Sequence, residues 1–501
     1  MSYSAEIPRK DSTEDRDFVS RFLSGNTQVE LPQDHQSLLP KEINDKLAPT
    51  GGKMALPFGV FNLITTVMGA GLLSLPYAFS IGGLVPASIA LILILIISLF
   101  SGHLLIDTLS LLPQSLKVFN FEDLSVFSYG IIAKVLSLLT IIVLLYPSHI
   151  AYMILTRDQL ELITEFSFNH LNATNSTAHY WITQKYTLMS LAYIPLLPIC
   201  FLPKIRFLGY TSFFGFSCLL IVSISFIVFS VIGLVHDADA TVINFSCANF
   251  TSPGSICVPL FPSSIFKFLE SLTIIALVFV CHFNILPICH ELYRSTKLRR
   301  KLTVTSTLSI VFCVYILVGI FTTLQFGSNV QSDVMKSYDA DSIVLLVERC
   351  LLFLALLPHY PILLFPFRAS VIYLIGLICD LVVHLKLVVK DDLSLTVRES
   401  RFVWFFVTLC SFILAFAPAC FVPNVDIVWG FVGSFGSVLV VFIWPALFYL
   451  KVRRDYWRKT TDAKCNLGIK GALSIAMIII GIVIMFMCTT NHILVIAGVE
   501  D

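Results

Sequence analysis

Charge is scarce in this sequence. Asp, Glu, Lys and Arg make up 13% of its 501 residues, and the formal balance is only +1. That balance singles out no partner by sign, and no nucleic-acid partner is expected. The thirteen cysteines show no CxxC spacing, so neither a metal site nor a metal cofactor is expected. No short apolar run follows a basic start, so no cleaved signal peptide is expected and the first apolar segment must insert by itself. No nucleophile stands one turn from a base. His282 and His290 are eight residues apart, about 12 Å along a helix, too far to share one metal. An enzyme is therefore not expected, and neither is a channel, for want of an acidic ring or a filter-like carbonyl loop.

Apolar residues are what the sequence has instead. They form 56% of the chain, with a mean hydropathy of +0.86. No soluble domain of this size needs that much apolar surface, so a polytopic, all-α membrane protein is expected, with the lipid bilayer as its surroundings. Residues 1–52 are the exception. They mix both signs of charge with Ser, Gln, Pro and Gly and read as a disordered cytosolic tail. Within them, Asp34 with Leu38 and Leu39 forms an acidic dileucine pattern of the kind a sorting adaptor reads. It points to an endosomal or lysosomal membrane, with the plasma membrane as the alternative.

Eleven apolar stretches follow, each near the length that crosses the hydrocarbon core. They are 54–79, 84–111, 131–156, 187–203, 207–234, 264–288, 303–325, 342–367, 402–422, 425–449 and 470–490, here spans 1 to 11. With the N-terminus inside, the even-numbered connections carry most of the Lys and Arg, while the other side holds little beyond Arg157, Lys185 and Lys336. Glycosylation sequons test the assignment independently. Asn172 and Asn175 lie between spans 3 and 4, and Asn244 and Asn249 between spans 5 and 6, all on the outer or luminal side. Cys247 and Cys257 share the second of these loops and stand either as a disulfide or as two thiols. Residues 371–389 are apolar enough to suggest a further crossing. Asp380, His384 and Lys386 favour instead an amphipathic segment lying on the cytosolic face. Residues 53–450 then form a ten-helix core, and 451–501 a basic linker, the eleventh helix and a luminal or extracellular C-terminus.

One stretch organises the core. Span 1 contains Gly69-Ala70-Gly71 followed by Pro76, and glycine and proline both weaken a helix interior. Two readings stand: a close-packing motif of small residues, or a helix broken at mid-membrane to make a substrate site. Span 6 crosses in the opposite direction and has its own weak point, with His282, Asn284 and Pro287 together at mid-span. Polar groups there are costly in lipid unless they are bonded or functional. Two five-helix units of opposite orientation, about 54–234 and 264–449, follow the inverted-repeat logic of the leucine-transporter fold.

Several motifs, in order, carry a resemblance. They are the run Gly59 to Gly83, Lys204-Ile205-Arg206 leading into Tyr210-Thr211-Ser212, and Cys281-His282-Phe283-Asn284-Ile285-Leu286-Pro287-Ile288 with Glu291-Leu292. Phe365-Pro366-Phe367-Arg368 and Phe442-Ile443-Trp444-Pro445-Ala446-Leu447-Phe448-Tyr449-Leu450 follow. Together they resemble the amino acid/auxin permease superfamily, and within it the sodium-coupled neutral amino acid transporter branch. The resemblance implies eleven spans, a bridged cysteine pair before span 6, consistent with Cys247 and Cys257, and an α-amino acid as substrate. On that reading the N–H groups freed around Gly69, Ala70 and Gly71 meet the substrate carboxylate. Carbonyls at Val278, Phe279 and Cys281 accept from its ammonium. Thr66 joins the pocket, Tyr152 on span 3 caps it beside His149, and His282 and Asn284 support it. The branch holds its cation between spans 1 and 8, at positions that fall here on Thr65 and His359. An imidazole suits sodium poorly and titrates near physiological pH. Coupling to H+, or no coupling, is therefore expected ahead of Na+. A sodium symporter, or a sensor signalling through the N-terminal tail, are the alternatives.

Overall fold

In the computed structural model the described residues are 52–498 apart from 53, 70, 113–117, 173, 175, 202–207, 237–242, 245–255, 339–341, 385–399 and 461–467. Among them, nine helices are long and apolar enough to cross a membrane. These give span 2 as Leu84–Leu111, span 3 as Ile131–His170, span 5 as Phe213–Val235, span 6 as Ile265–Glu291 and span 7 as Lys297–Asn329. Span 8 is Ile343–Asp380, span 9 Arg401–Phe421, span 10 Val425–Tyr456 and span 11 Gly468–Ile496. A tenth crossing, span 1, is a pair of helices, Leu56–Val67 and Gly71–Gly82, bent by 53°. Span 4 is not one long helix: it holds Lys185–Tyr193 and the short turn Leu197–Cys200. Pro195 and Pro198 supply no N–H there and interrupt the helical ladder.

Two further boundaries differ from the sequence reading. The helix beginning at His359 runs without a break to His384, so 371–384 continue the helix of span 8, and 385–389 lie outside the described residues. No proline lies between Ala369 and His384, and the one glycine, Gly376, costs a helix only about 1 kcal/mol. Span 3 continues 14 residues past its expected end at 156, as far as His170. Arg157 therefore sits inside the fold and not in a loop. It is buried, bonds Asp158 at 2.7 Å, and donates to the carbonyls of Ala419 at 3.0 Å and of Val422 and Pro423 at 3.3 Å. These carbonyls end span 9 and enter span 10, and one planar cation satisfies all three. Replacing Arg157 with leucine leaves the three carbonyls without their donor and buried Asp158 with Lys336 alone, at 2.7 Å. We expect a destabilisation of about 3–5 kcal/mol, read as thermal unfolding of the purified protein, without rescue by lysine.

Spans 1 and 6 cross as an antiparallel pair. The first half of span 1 packs on the second half of span 6, and its second half on the first half of span 6. Span 7 holds the bent helix in place: Tyr315 Oη donates to the Val67 carbonyl at 2.9 Å and Thr323 to that of Pro76 at 3.2 Å. Buried carboxylates are paired across the bundle. Asp107 of span 2 takes Lys297, Lys301 and Lys470 at 2.9, 2.7 and 2.7 Å, tying spans 7 and 11 to it. Glu270 of span 6 accepts from Tyr77 of span 1 at 3.0 Å.

Candidate functional site

The break in span 1 falls where the glycines are. The first helix ends at Val67, Met68 still donates to Ile64 at 2.7 Å, and the second helix starts at Gly71; Ala70 lies outside the described residues. Gly69 is required by close approach, because a Cβ there would stand 1.7 Å from Tyr152 Oη. At Gly71 a Cβ would come to 3.1 Å from Val278 Cγ1. In span 6 the helix ends at Leu277 and resumes at His282, so residues 278–281 are unwound. Among the described residues the carbonyls of Val278 and Phe279 accept no main-chain hydrogen bond. Asn284 Nδ2 donates to Thr66 Oγ1 at 3.2 Å and joins the two breaks. His282 turns away, with Nε2 3.2 Å from the Ser98 carbonyl of span 2.

A cavity opens between the breaks. Span 1 contributes Thr66, Val67 and Gly71 to its lining, and span 6 contributes Leu277, Val278, Val280 and Phe283. Span 3 adds Leu144, Leu145, Ser148 and Tyr152, span 8 adds Leu363, and span 10 adds Trp429. Among the described residues no charged side chain lines it. Of the residues expected from sequence to bind substrate, Thr66, Gly71, Val278 and Tyr152 come together here. Gly69 lies behind Tyr152. Phe279 and Cys281 do not line the cavity: Phe279 packs on Tyr315 with ring centroids 5.9 Å apart, and Cys281 is a buried cap of the second half-helix.

Sequence reading missed Trp429. Its indole meets Tyr152 edge-on at 6.2 Å, it is buried, and its Nε1 has no hydrogen-bond partner among the described residues. The available signal was the run of small residues after it, Gly433, Ser434, Gly436 and Ser437. Span 10 widens there into π-helical turns, Val432–Ser437 and Leu439–Ile443, a feature frequent beside functional sites. At Gly433 a Cβ would be 1.9 Å from the Thr273 carbonyl of span 6, so only glycine admits that approach.

Thr65 and His359 do meet across spans 1 and 8, through the main chain. His359 Nε2 is 3.0 Å from the Thr65 carbonyl oxygen and Nδ1 is 2.7 Å from that of Ala355. Thr65 Oγ1 donates within its own helix to Phe61 at 2.9 Å. The Tyr152 ring stacks on the imidazole at 5.1 Å. Both nitrogens of His359 thus face acceptors, and a neutral ring, with one N–H, can serve only one of them. His149 and His282 differ: each has one ring nitrogen against a carbonyl and the other without a partner among the described residues. Among those residues no cluster of His, Cys, Asp or Glu could hold a metal ion.

Asn172 is exposed, with φ +52°. Asn244 lies in a two-residue strand, Ile243–Asn244, paired in parallel with Ile256–Cys257. Cys257 is buried and is not among the free cysteines. Asp34, Leu38, Leu39, Asn175, Asn249 and Cys247 lie outside the described residues.

The arrangement of helices has a solved counterpart. MhsT, crystallised in complex with L-phenylalanine, superposes with a TM-score of 0.53 over 88% of this chain and 99% of that one, at 12% identity. At that identity the likeness speaks for the fold alone: an all-α polytopic membrane protein of the leucine-transporter fold, a 5+5 inverted repeat with an eleventh helix outside it. Residues 53–494 match the family described as transmembrane amino acid transporter protein, and the chain belongs to that family.

Proposed function

We propose that this amino acid transporter carries small or neutral amino acids by alternating access and couples the movement to protons, not to sodium. The observation that carries the coupling is His359, whose two ring nitrogens face the carbonyls of Thr65 and Ala355. An imidazolium donates to both and bridges span 8 to the bent span 1, taking the place of a bound cation. The lining supports the substrate class. It is apolar apart from Thr66, Ser148, Tyr152 and Trp429, so it offers no partner to a charged side chain. The unwound main chain at Gly69, ahead of the half-helix that starts at Gly71, and at Val278–Phe279 is left to take the carboxylate and the ammonium. MhsT, with L-phenylalanine bound, supports an amino acid in the corresponding fold. The dileucine pattern at Asp34, Leu38 and Leu39, read by a sorting adaptor, would place the protein on an endosomal or lysosomal membrane, where an acidic lumen supplies the proton. Cys247 pairs with Cys257 on that side, beside glycans at Asn172, Asn175, Asn244 and Asn249.

Uptake by proteoliposomes of a radiolabelled amino acid panel, in sodium and in choline medium at two pH values, tests the reading. Neutral amino acids should enter, an inward proton gradient should raise their uptake several-fold, and replacing sodium by choline should change nothing. Strict sodium dependence at constant pH overturns the coupling; exclusive uptake of a cationic amino acid overturns the substrate class.

A further inference from the structure

One buried carboxylate stands apart from the pocket and from the ion pairs described above. Asp333 is 1% exposed, in the connection between spans 7 and 8, at the start of the short helix Val334–Ser337 that packs on the second half of span 1. One oxygen accepts from the Met335 N–H at 3.0 Å and the other from Gln159 Nε2 of span 3 at 2.7 Å. Gln159 is fully buried, and its Oε1 has no hydrogen-bond partner among the described residues. A buried acceptor left unmet is costly. A carboxylic acid beside an amide can remove that cost, because the acid O–H donates to the amide oxygen while the amide N–H keeps its bond to the acid.

The same contact joins the elements that close this end of the molecule. Lys336 bonds Asp158 at 2.7 Å, Asp158 bonds Arg157, and Arg157 holds the turn between spans 9 and 10. The charge bias and the sequons assign this end to the outer or luminal side. We infer that Asp333 and Gln159 form a second proton-binding site, separate from His359, whose occupation latches the connection between spans 7 and 8 onto span 3. The inference rests on the transporter reading only in requiring that this side open and close.

The surroundings of Asp333 set the sign. Asp158 faces it from span 3, Lys336 from its own helix and Arg349 from the start of span 8; Arg157 and Glu161 stand beside Asp158, and Glu348 beside Arg349. Asp426, at the start of span 10, reaches Ser332, with His492 of span 11 behind it. Tyr77 of span 1 stands with Glu270 and Lys267 of span 6. Burial, reinforced by Asp158, pushes the Asp333 carboxyl up to about 7 against the pull of Lys336 and Arg349. In an opened latch the group is solvated and returns to the ordinary carboxylate range, near 4. Between these values the closed state binds more protons. Closure is therefore strongest in acid and is lost as pH rises towards about 7.

Hydrogen exchange of the full chain in nanodiscs tests this, following the peptide 330–338 with exchange corrected for intrinsic rates. Exchange should be roughly 30-fold slower at pH 5.5 than at pH 8, with a midpoint near the value for Asp333. Asp333→Asn should be slow at both pH values. Lys336→Gln removes a half-exposed cation without touching the buried pair; exchange should quicken overall and its midpoint should move up. His359→Gln should leave the profile of this peptide unchanged, which separates the latch from coupling in the pocket. A wild-type profile without pH dependence overturns the inference, as does an Asp333→Asn profile like that of the wild type. If that variant does not fold, an unmoved midpoint in Lys336→Gln does the same.

Discussion

Alanine at position 69 is expected to lower uptake about 100-fold in a protein that still folds. The added Cβ would stand 1.7 Å from Tyr152 Oη and 2.8 Å from Cζ, so the ring has to move. It cannot move alone. Its face lies on His359 at 5.1 Å and its edge on Trp429 at 6.2 Å, and both neighbours are buried. Displacing Tyr152 disturbs one wall of the cavity and the imidazole that bridges spans 1 and 8. Initial uptake per mole of protein, beside a thermal unfolding curve, measures the effect. Removing the hydroxyl should give back part of the loss, since Gly69→Ala with Tyr152→Phe keeps only the milder contacts at Cζ and Cε1, at 2.8 and 3.1 Å. The contrast with Gly71 is informative: a Cβ there meets Val278 at 3.1 Å, a contact that a small shift relieves. Wild-type uptake in Gly69→Ala would show that the span 1 break and Tyr152 are not coupled to the substrate path.

The broken spans were legible because their weakness is covalent: glycine and proline lower helix stability wherever they stand. Parity then made spans 1 and 6 an antiparallel pair, and the packing of their half-helices agrees. What was not legible depends on which way a side chain turns in an unwound segment, where no helical period applies. Val278 and Val280 face the cavity, while Phe279 between them packs on Tyr315. Trp429 escaped because span 10 departs from the regular helix by widened turns, which need no proline. Hydropathy alone also misplaced Arg157. A lone cation after an apolar run reads as the end of a span, yet three carbonyls and Asp158 make burial affordable.

The same distinction decides among the histidines. His149, His282 and His359 are all buried, and sequence offers no reason to separate them beyond position. Their partners do. His149 and His282 each donate from one ring nitrogen to a single carbonyl, whereas His359 lies between two carbonyls, at 2.7 and 3.0 Å. A hydrogen bond from a charged donor contributes about 1.5–3 kcal/mol, so a protonated ring binds span 1 to span 8 more firmly than a neutral one by at least a factor of ten. Glutamine at 359 keeps an N–H for the Thr65 carbonyl and cannot take up the proton. His359→Gln is therefore expected to transport at a low rate that is indifferent to pH, about ten-fold below wild type at the acidic optimum and closer to it at alkaline pH. His282→Gln, whose neighbour at Ser98 asks for a single donor, should keep the wild-type pH profile at a reduced rate. Uptake driven by an imposed proton gradient at zero sodium reads both variants, and an undiminished response in His359→Gln would remove His359 from the coupling path.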